Sequence, residues 1–208
     1  MVISHIKKYI FIHVYKVAGG SIRNHLHRYG NASLLTKVDK LKSILGMKSN
    51  IFSDNFNDHI RANELKEQIP SNIFDSYFKF AFVRNPWDWQ VSLYHYTLET
   101  PSHPQHQFLH AMANFEEYIE WRVNNEVRFQ KDFVCDEEGN LLVDFIGKFE
   151  NLYEDYNAIC KTLNIPDAKL PHRNKSNHKN YKKYYNSITK ELIAKAFKKD
   201  IDFFEYTF

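Results

Sequence analysis

The sequence predicts an α/β fold, with a mainly parallel sheet flanked by helices in one domain over residues 1–208. Three observations carry this. Tyr9 to Val14 and Phe78 to Val83 are apolar runs, the first with one His and the second with one Lys, rich in aromatic and β-branched residues, as strands buried on both faces require. Each run is followed by a cation, a backbone-breaking turn and a segment able to form a helix. Finally, 208 residues at 43% hydrophobic and 16% aromatic can bury a substantial core.

The chain is organised around Tyr9 to Ser21, YIFIHVYKVAGGS. After the strand come Lys16, the pair Gly19-Gly20 and then Ser21 to Leu26, which can continue as a helix to Tyr29. A glycine turn opening a helix at the carboxyl end of a strand offers backbone N–H groups and the positive end of a helix dipole to a phosphate or sulfate. Lys16 adds a mobile charge. The plainer alternative is an ordinary strand-to-helix turn with a surface lysine.

A net charge of +3 suits locally held anions better than a nucleic-acid surface, which needs a strong basic stripe. Cys135 and Cys160 have no metal-type spacing and are too few for a disulfide framework, which points to a reducing compartment. The start, MVISHIKKYIFIHVYK, has an apolar run of about six residues, too short for a membrane span. A cytoplasmic protein with no stable membrane insertion is expected.

Gly30 to Asn57 reads as connecting structure. His59 opens HIRANELKEQIP, in which Ile60, Leu65 and Ile69 allow an amphipathic helix ended by Pro70. After the second strand, Arg84-Asn85-Pro86 breaks the run and Trp87 to Leu98 resumes as a helix. Arg84 stands where a parallel strand ends, the place where open α/β sheets bind ligands. Ser92 lies eight residues on, so its hydroxyl could point back toward the same anion, or simply pack in the helix.

His103, His106 and His110 have spacings that suggest a metal cluster, but Pro101 and Pro104 interrupt them and no cysteine accompanies them; a polar loop entering a helix is expected. Phe108 to Arg122 carries Phe108, Met112, Phe115 and Ile119 at helical spacing, a core face. Acceptor contacts are sought from Glu99 to Lys131, which follows the second anion unit and has no donor motif of its own. Asp136 to Asn140 reads as a hairpin turn, Phe145 to Phe149 as a strand, and Leu152 to Leu163 as a helix. A basic loop follows at Pro171 to Ser176, then a final helix capped by Asn186 or Ser187 with Leu192, Ile193, Phe197 and Phe204 on its apolar face.

Taken together, FIHVYKVAGGS resembles the 5′-phosphosulfate loop, and FAFVRNPWDWQVSLYHY the 3′-phosphate motif, of the sulfotransferases that use 3′-phosphoadenosine 5′-phosphosulfate (PAPS), most nearly the carbohydrate branch. DFIGKFENL, LPHRNKSNH and DIDFFEY resemble later parts of that domain. The resemblance implies a P-loop-like arrangement. Lys16, Val17, Ala18, Gly19, Gly20 and Ser21 would hold the 5′ end of PAPS, and Arg84 and Ser92 the 3′-phosphate. Arg173, Lys175 and Ser176 would lie in the late loop that closes over it, although any one of them alone reads as solvated charge.

The transferred group carries fewer charges than a γ-phosphate, so no divalent metal is required. Lys16 would neutralise charge on the leaving phosphate, with PAP as the second product. The acceptor implied is a hydroxyl of a carbohydrate or glycoconjugate. His59, at the head of the segment before the arginine strand, matches the family's candidate general base, with Asp58 beside it to orient it; the alternative is a solvent-facing histidine beginning a helix. Tyr15 stands where the family commonly has Pro, and Trp89 where Arg is frequent. A nucleotide kinase or NTPase is the first competitor, but here Lys precedes the glycine pair instead of following it as in Gly-x-x-x-x-Gly-Lys-Ser/Thr. A catalytically inactive nucleotide-binding module is the second.

Overall fold

The structure, a computed structural model, describes residues 1–26, 56–166, 170 and 180–208. Among them the chain forms two compact units, one of Met1–Val83 and Asp132–Arg173, the other of Arg84–Lys131 and Asn174–Phe208.

The first unit holds a four-stranded sheet in the order β1, β2, β3, β4: Val2–Ser4, Tyr9–Ile12, Phe78–Val83 and Phe145–Lys148. β1 runs antiparallel to β2; β2, β3 and β4 are mutually parallel, with Phe11 opposite Phe80 and Phe82 opposite Gly147. The side chains from Tyr9 to Ile12 and from Phe80 to Val83 are fully buried, as the two apolar runs require. Parallel pairing brings the carboxyl ends of the three strands to one edge, where the loops that follow them can meet a ligand.

Helices α1 (Gly19–Leu26), α2 (Ala62–Gln68), α3 (Ser71–Ser76) and α8 (Leu152–Thr162) flank this sheet. Ile22 and Leu26 of α1 and Tyr156, Ile159 and Cys160 of α8 supply buried side chains. The expected turn at Asp136 to Asn140 forms beneath an isolated bridge between Cys135 and Leu141. Cys135 and Cys160 are free thiols, both buried.

The second unit is helical: α4 (Pro86–Glu99), α5 (His106–His110), α6 (Phe115–Asn125), α9 (Ser187–Ala196) and α10 (Lys198–Phe204), with α7 (Lys131–Val134) beginning at its boundary. The single helix expected over Phe108 to Arg122 is two. Ala111 ends the first, and Asn114 caps the second by accepting from the Glu117 N–H. Polar side chains tie the unit internally. Both carboxylate oxygens of the fully buried Asp200 accept main-chain N–H bonds, from Gln130 at 2.8 Å and Lys131 at 2.9 Å. Tyr118 donates to Gln90 at 3.1 Å within the core.

No helix among the described residues is long and apolar enough to cross a membrane.

Candidate active site

β2 ends at Ile12, two residues before the end of the apolar run, and the chain turns through Tyr15 to Ala18 into α1. The conformational burden of this turn falls on unexpected residues. Lys16 and Ala18 hold the left-handed region, each at φ 63°, at a cost of roughly 1–2 kcal/mol per residue. Gly19 and Gly20 instead form the first turn of α1. Such concentrated backbone strain at the mouth of a helix is the pattern of a loop held for function. The Ser21 and Ile22 N–H groups donate to the Ala18 carbonyl at 3.0 and 3.2 Å, so the helix is closed from its first residues. Gly19 and Gly20, as the opening residues, direct N–H groups that helix geometry does not pair, which is the arrangement an anion requires.

The two glycines differ in what surrounds them. A Cβ on Gly19 would lie 1.9 Å from His13 Nε2 and 2.0 Å from its Cδ2, a collision with the imidazole. A Cβ on Gly20 would enter open space. Gly19→Ala is therefore expected to destabilise the protein by about 1–3 kcal/mol through overpacking, whereas Gly20→Ala should stabilise it by up to about 1 kcal/mol. Urea unfolding midpoints of the two variants check the contrast; equal midpoints would contradict the wedged position of His13.

His13 is the residue that sequence reasoning passed over, a single polar side chain in an apolar run. Its ring stacks on Phe11 at 5.7 Å and sits 4.5 Å from the ring of His59. Its buried Nδ1 has no hydrogen-bond partner among the described residues. Burial first, and then the positive charge that His59 can carry, push its pKa from 6.5 down to about 3.

An unfolded chain therefore takes up a proton at His13 below pH 6.5 that the folded chain refuses until about pH 3. Folding stability contributed by neutral His13 is complete above pH 6.5 and declines toward pH 3. His13→Phe should flatten stability between pH 6.5 and 5 by about 1 kcal/mol after screening, read from urea unfolding at the two pH values. An unchanged slope would place the acid sensitivity elsewhere. Asp58 adds a contribution of the same sign: partial burial raises its pKa, but the hydrogen bond and charge of Arg23 outweigh this and leave it lowered, so its share is also lost on acidification.

His59 lies in the same cluster, exposed, with Nδ1 2.9 Å from the His13 carbonyl oxygen and its ring meeting Tyr15 edge-on at 5.9 Å. Asp58 does not orient it. That carboxylate pairs with Arg23, while the His59 N–H donates to Asn57 Oδ1 at 3.0 Å. Tyr15, one of the two departures from the family pattern, thus packs on His59 and on Phe133, the latter also at 5.9 Å. Arg61 lies over the other part of this aromatic chain, 6.0 Å from the Phe133 centroid. Beyond it is a cavity of about 360 Å³ lined by Arg61, Asn63, Glu64, Asp132, Cys135, Asp136 and Glu137.

In the second unit Arg84, the residue after β3, is buried. Its Nε donates to Asp88 at 2.7 Å, and its main chain is held in both directions by the Gln130 amide, at 2.9 Å to its N–H and 2.7 Å from its carbonyl. Neither partner was singled out from the sequence: Asp88 at i+4 offered a signal, whereas Gln130, 46 residues away, offered none. Asn85 caps α4 by accepting from the Trp87 N–H, and Pro86 takes the first helical position. Ser92 is buried on α4. Trp89, the second departure, is fully buried and meets Phe197 edge-on at 6.3 Å, a packing role that an Arg could not fill unpaired.

His106 and His110 face carbonyls, with ring nitrogens 3.0 Å from Thr97 O and 3.2 Å from Leu98 O. Among the described residues no three metal-ligating side chains converge. Arg173, Lys175 and Ser176 lie outside the described residues.

Three comparisons bear on this arrangement. The model of the Sulfotransferase family matches residues 1–207. An uncharacterized protein of Archaeoglobus fulgidus is 28% identical over 127 residues, which cover 57% of this chain and 94% of that protein. The crystal structure of mouse sulfotransferase SULT7A1 complexed with PAP is similar in fold, with a TM-score of 0.54 at 13% identity, covering 96% of this chain and 86% of that one.

Proposed function

The chain belongs to the sulfotransferase family, and from that premise we propose that it moves a sulfuryl group from PAPS to a hydroxyl of a carbohydrate or glycoconjugate, releasing PAP. The observation that carries this reading is the strained turn at Lys16 and Ala18, which delivers the Gly19-Gly20 helix start to the carboxyl end of β2. The PAP in the mouse sulfotransferase of similar fold supports the choice of donor. Residues 1–208 act as one sulfotransferase domain. Two buried free cysteines are in keeping with a cytoplasmic setting.

In this mechanism the segment from Lys16 to Ser21 binds the 5′ phosphosulfate. The Gly19 and Gly20 N–H groups orient the anion, and the Lys16 ammonium meets the charge that grows on the leaving phosphate oxygen. Arg84 offers its guanidinium, and Ser92 its hydroxyl, to the 3′-phosphate, and Arg173, Lys175 and Ser176 are the further candidates for binding it. His59 takes the proton of the acceptor hydroxyl, so that the oxygen attacks sulfur while the S–O bond to the phosphate breaks.

Incubation of the purified protein with sulfur-labelled PAPS and a glycan panel tests the reading, with sulfated product and PAP followed together. Neutral and amino sugars lead the panel, because four carboxylates against one guanidinium line the cavity beyond Phe133 and disfavour an already sulfated acceptor. Stoichiometric product and PAP are expected. PAP released without any sulfated glycan would remove the carbohydrate acceptor, and neither product would leave the inactive nucleotide-binding module in its place.

A further inference from the structure

We propose that His13 is the positioning residue for His59: its carbonyl oxygen fixes the His59 tautomer, and its ring, wedged between Gly19 and the His59 ring, sets the spacing from anion loop to base. The proposal rests on the reading of His59 as the general base, and it assigns the proton-accepting atom within that residue.

A carbonyl oxygen only accepts hydrogen bonds. With His59 Nδ1 2.9 Å from the His13 carbonyl, that nitrogen must carry the proton. The neutral imidazole is then the Nδ1–H tautomer and its lone pair is on Nε2. The first ring nitrogen anchors; the second is left to take a proton from an acceptor hydroxyl. Backbone carbonyls set ring orientation in this way for other functional histidines, with the bond at one nitrogen deciding the chemistry of the other.

The ring of His13 does separate work. Phe11 stacks against it at 5.7 Å, the place of a Gly19 Cβ is occupied by its Nε2 and Cδ2, and His59 lies 4.5 Å away. One side chain therefore touches both the loop that would hold the donor and the ring that would activate the acceptor. The position directly after β2 is well suited to this, because the strand that anchors it is buried throughout. The glycine at position 19 and the histidine at position 13 form one fitted pair: the first has no side chain because the second has this one.

Nitrogen-15 long-range correlation spectra of the imidazoles decide the tautomer without any ligand, with the His59 signals identified by their loss in His59→Asn. The Nδ1–H form is expected at pH values where the ring is neutral; the Nε2–H form would overturn the proposal. Kinetics then test the wedge. His13→Ala keeps the carbonyl and removes the ring, and is expected to lower kcat about tenfold by displacing the base from the loop, with PAP affinity changed less than about threefold. His13→Phe, which restores a ring without nitrogens, should recover most of that loss. Full kcat in His13→Ala, or a Phe variant as slow as the Ala variant, would overturn the wedge, and should His13→Ala fail to fold, the wild-type tautomer still decides the first half. A His59→Ala enzyme with unchanged rate and pH profile would instead refute the base itself, an outcome distinguishable from a wrong tautomer.

Discussion

Lys16→Ala is expected to lower kcat by two to three orders of magnitude, about 3–4 kcal/mol of transition-state stabilisation, the scale for losing one preorganised charge donor. PAPS affinity should change far less, because the backbone donors of the Gly19-Gly20 turn survive and the charge on the bridging oxygen is absent from the intact donor and develops only as the S–O bond breaks. The left-handed backbone at position 16 supplies an internal control. Lys16→Gly removes the same ammonium but relieves the strain, so it should be as slow as the Ala variant while exceeding it in stability by about 1 kcal/mol. Single-turnover rates with saturating PAPS, beside urea unfolding of both variants, measure the two quantities. Near-normal turnover in both would remove Lys16 from the chemistry and leave only a surface lysine on a tight turn.

Arg84→Ala is expected to weaken PAP binding by about 100-fold, since a charge-assisted hydrogen bond to an anion contributes up to about 3 kcal/mol. The same change strands Asp88, whose side chain is only 14% exposed beside an Arg84 side chain at 5%, and an uncompensated buried carboxylate costs about 3–5 kcal/mol of stability. A loss of binding in the single variant could therefore reflect unfolding. The double variant Arg84→Ala with Asp88→Ala separates the causes, because neither charge is then left alone. It should regain most of the lost stability and none of the lost affinity. Calorimetric titration of PAP beside thermal unfolding reads both. Recovery of binding in the double variant would assign Arg84 to a structural ion pair.

β3 was legible from end to end because Phe78 to Val83 is apolar at every position but Lys79 and is bounded by a charged break. β1 was not: three residues on an antiparallel edge give no periodicity to read. The break between α5 and α6 was missed because apolar spacing runs through it unchanged, while the decisive event is local, the Asn114 side chain capping a new helix.

The anion loop was legible as a unit, yet its mechanics were not. Glycine at 19 and 20 suggested where the backbone turns; the left-handed residues are Lys16 and Ala18, and the glycines answer to His13 and to the helix start. No sequence pattern states that a residue six positions earlier will occupy a missing side chain's place. The lone histidine within YIFIHV was the available signal, because a polar side chain in a buried strand needs either a partner or a purpose. Asp58 shows the opposite limit: adjacency to His59 suggested an orienting carboxylate, but neighbouring side chains diverge and Arg23 takes it.

The most direct test follows the backbone amides of Lys16 to Ser21 in nitrogen-15 spectra during titration with adenosine 3′,5′-bisphosphate. Saturable shifts at these amides, weaker with ATP at equal concentration, are the expected result. A titration in which that nucleotide leaves all of them in place would contradict the assignment of this turn as the sulfuryl-donor site.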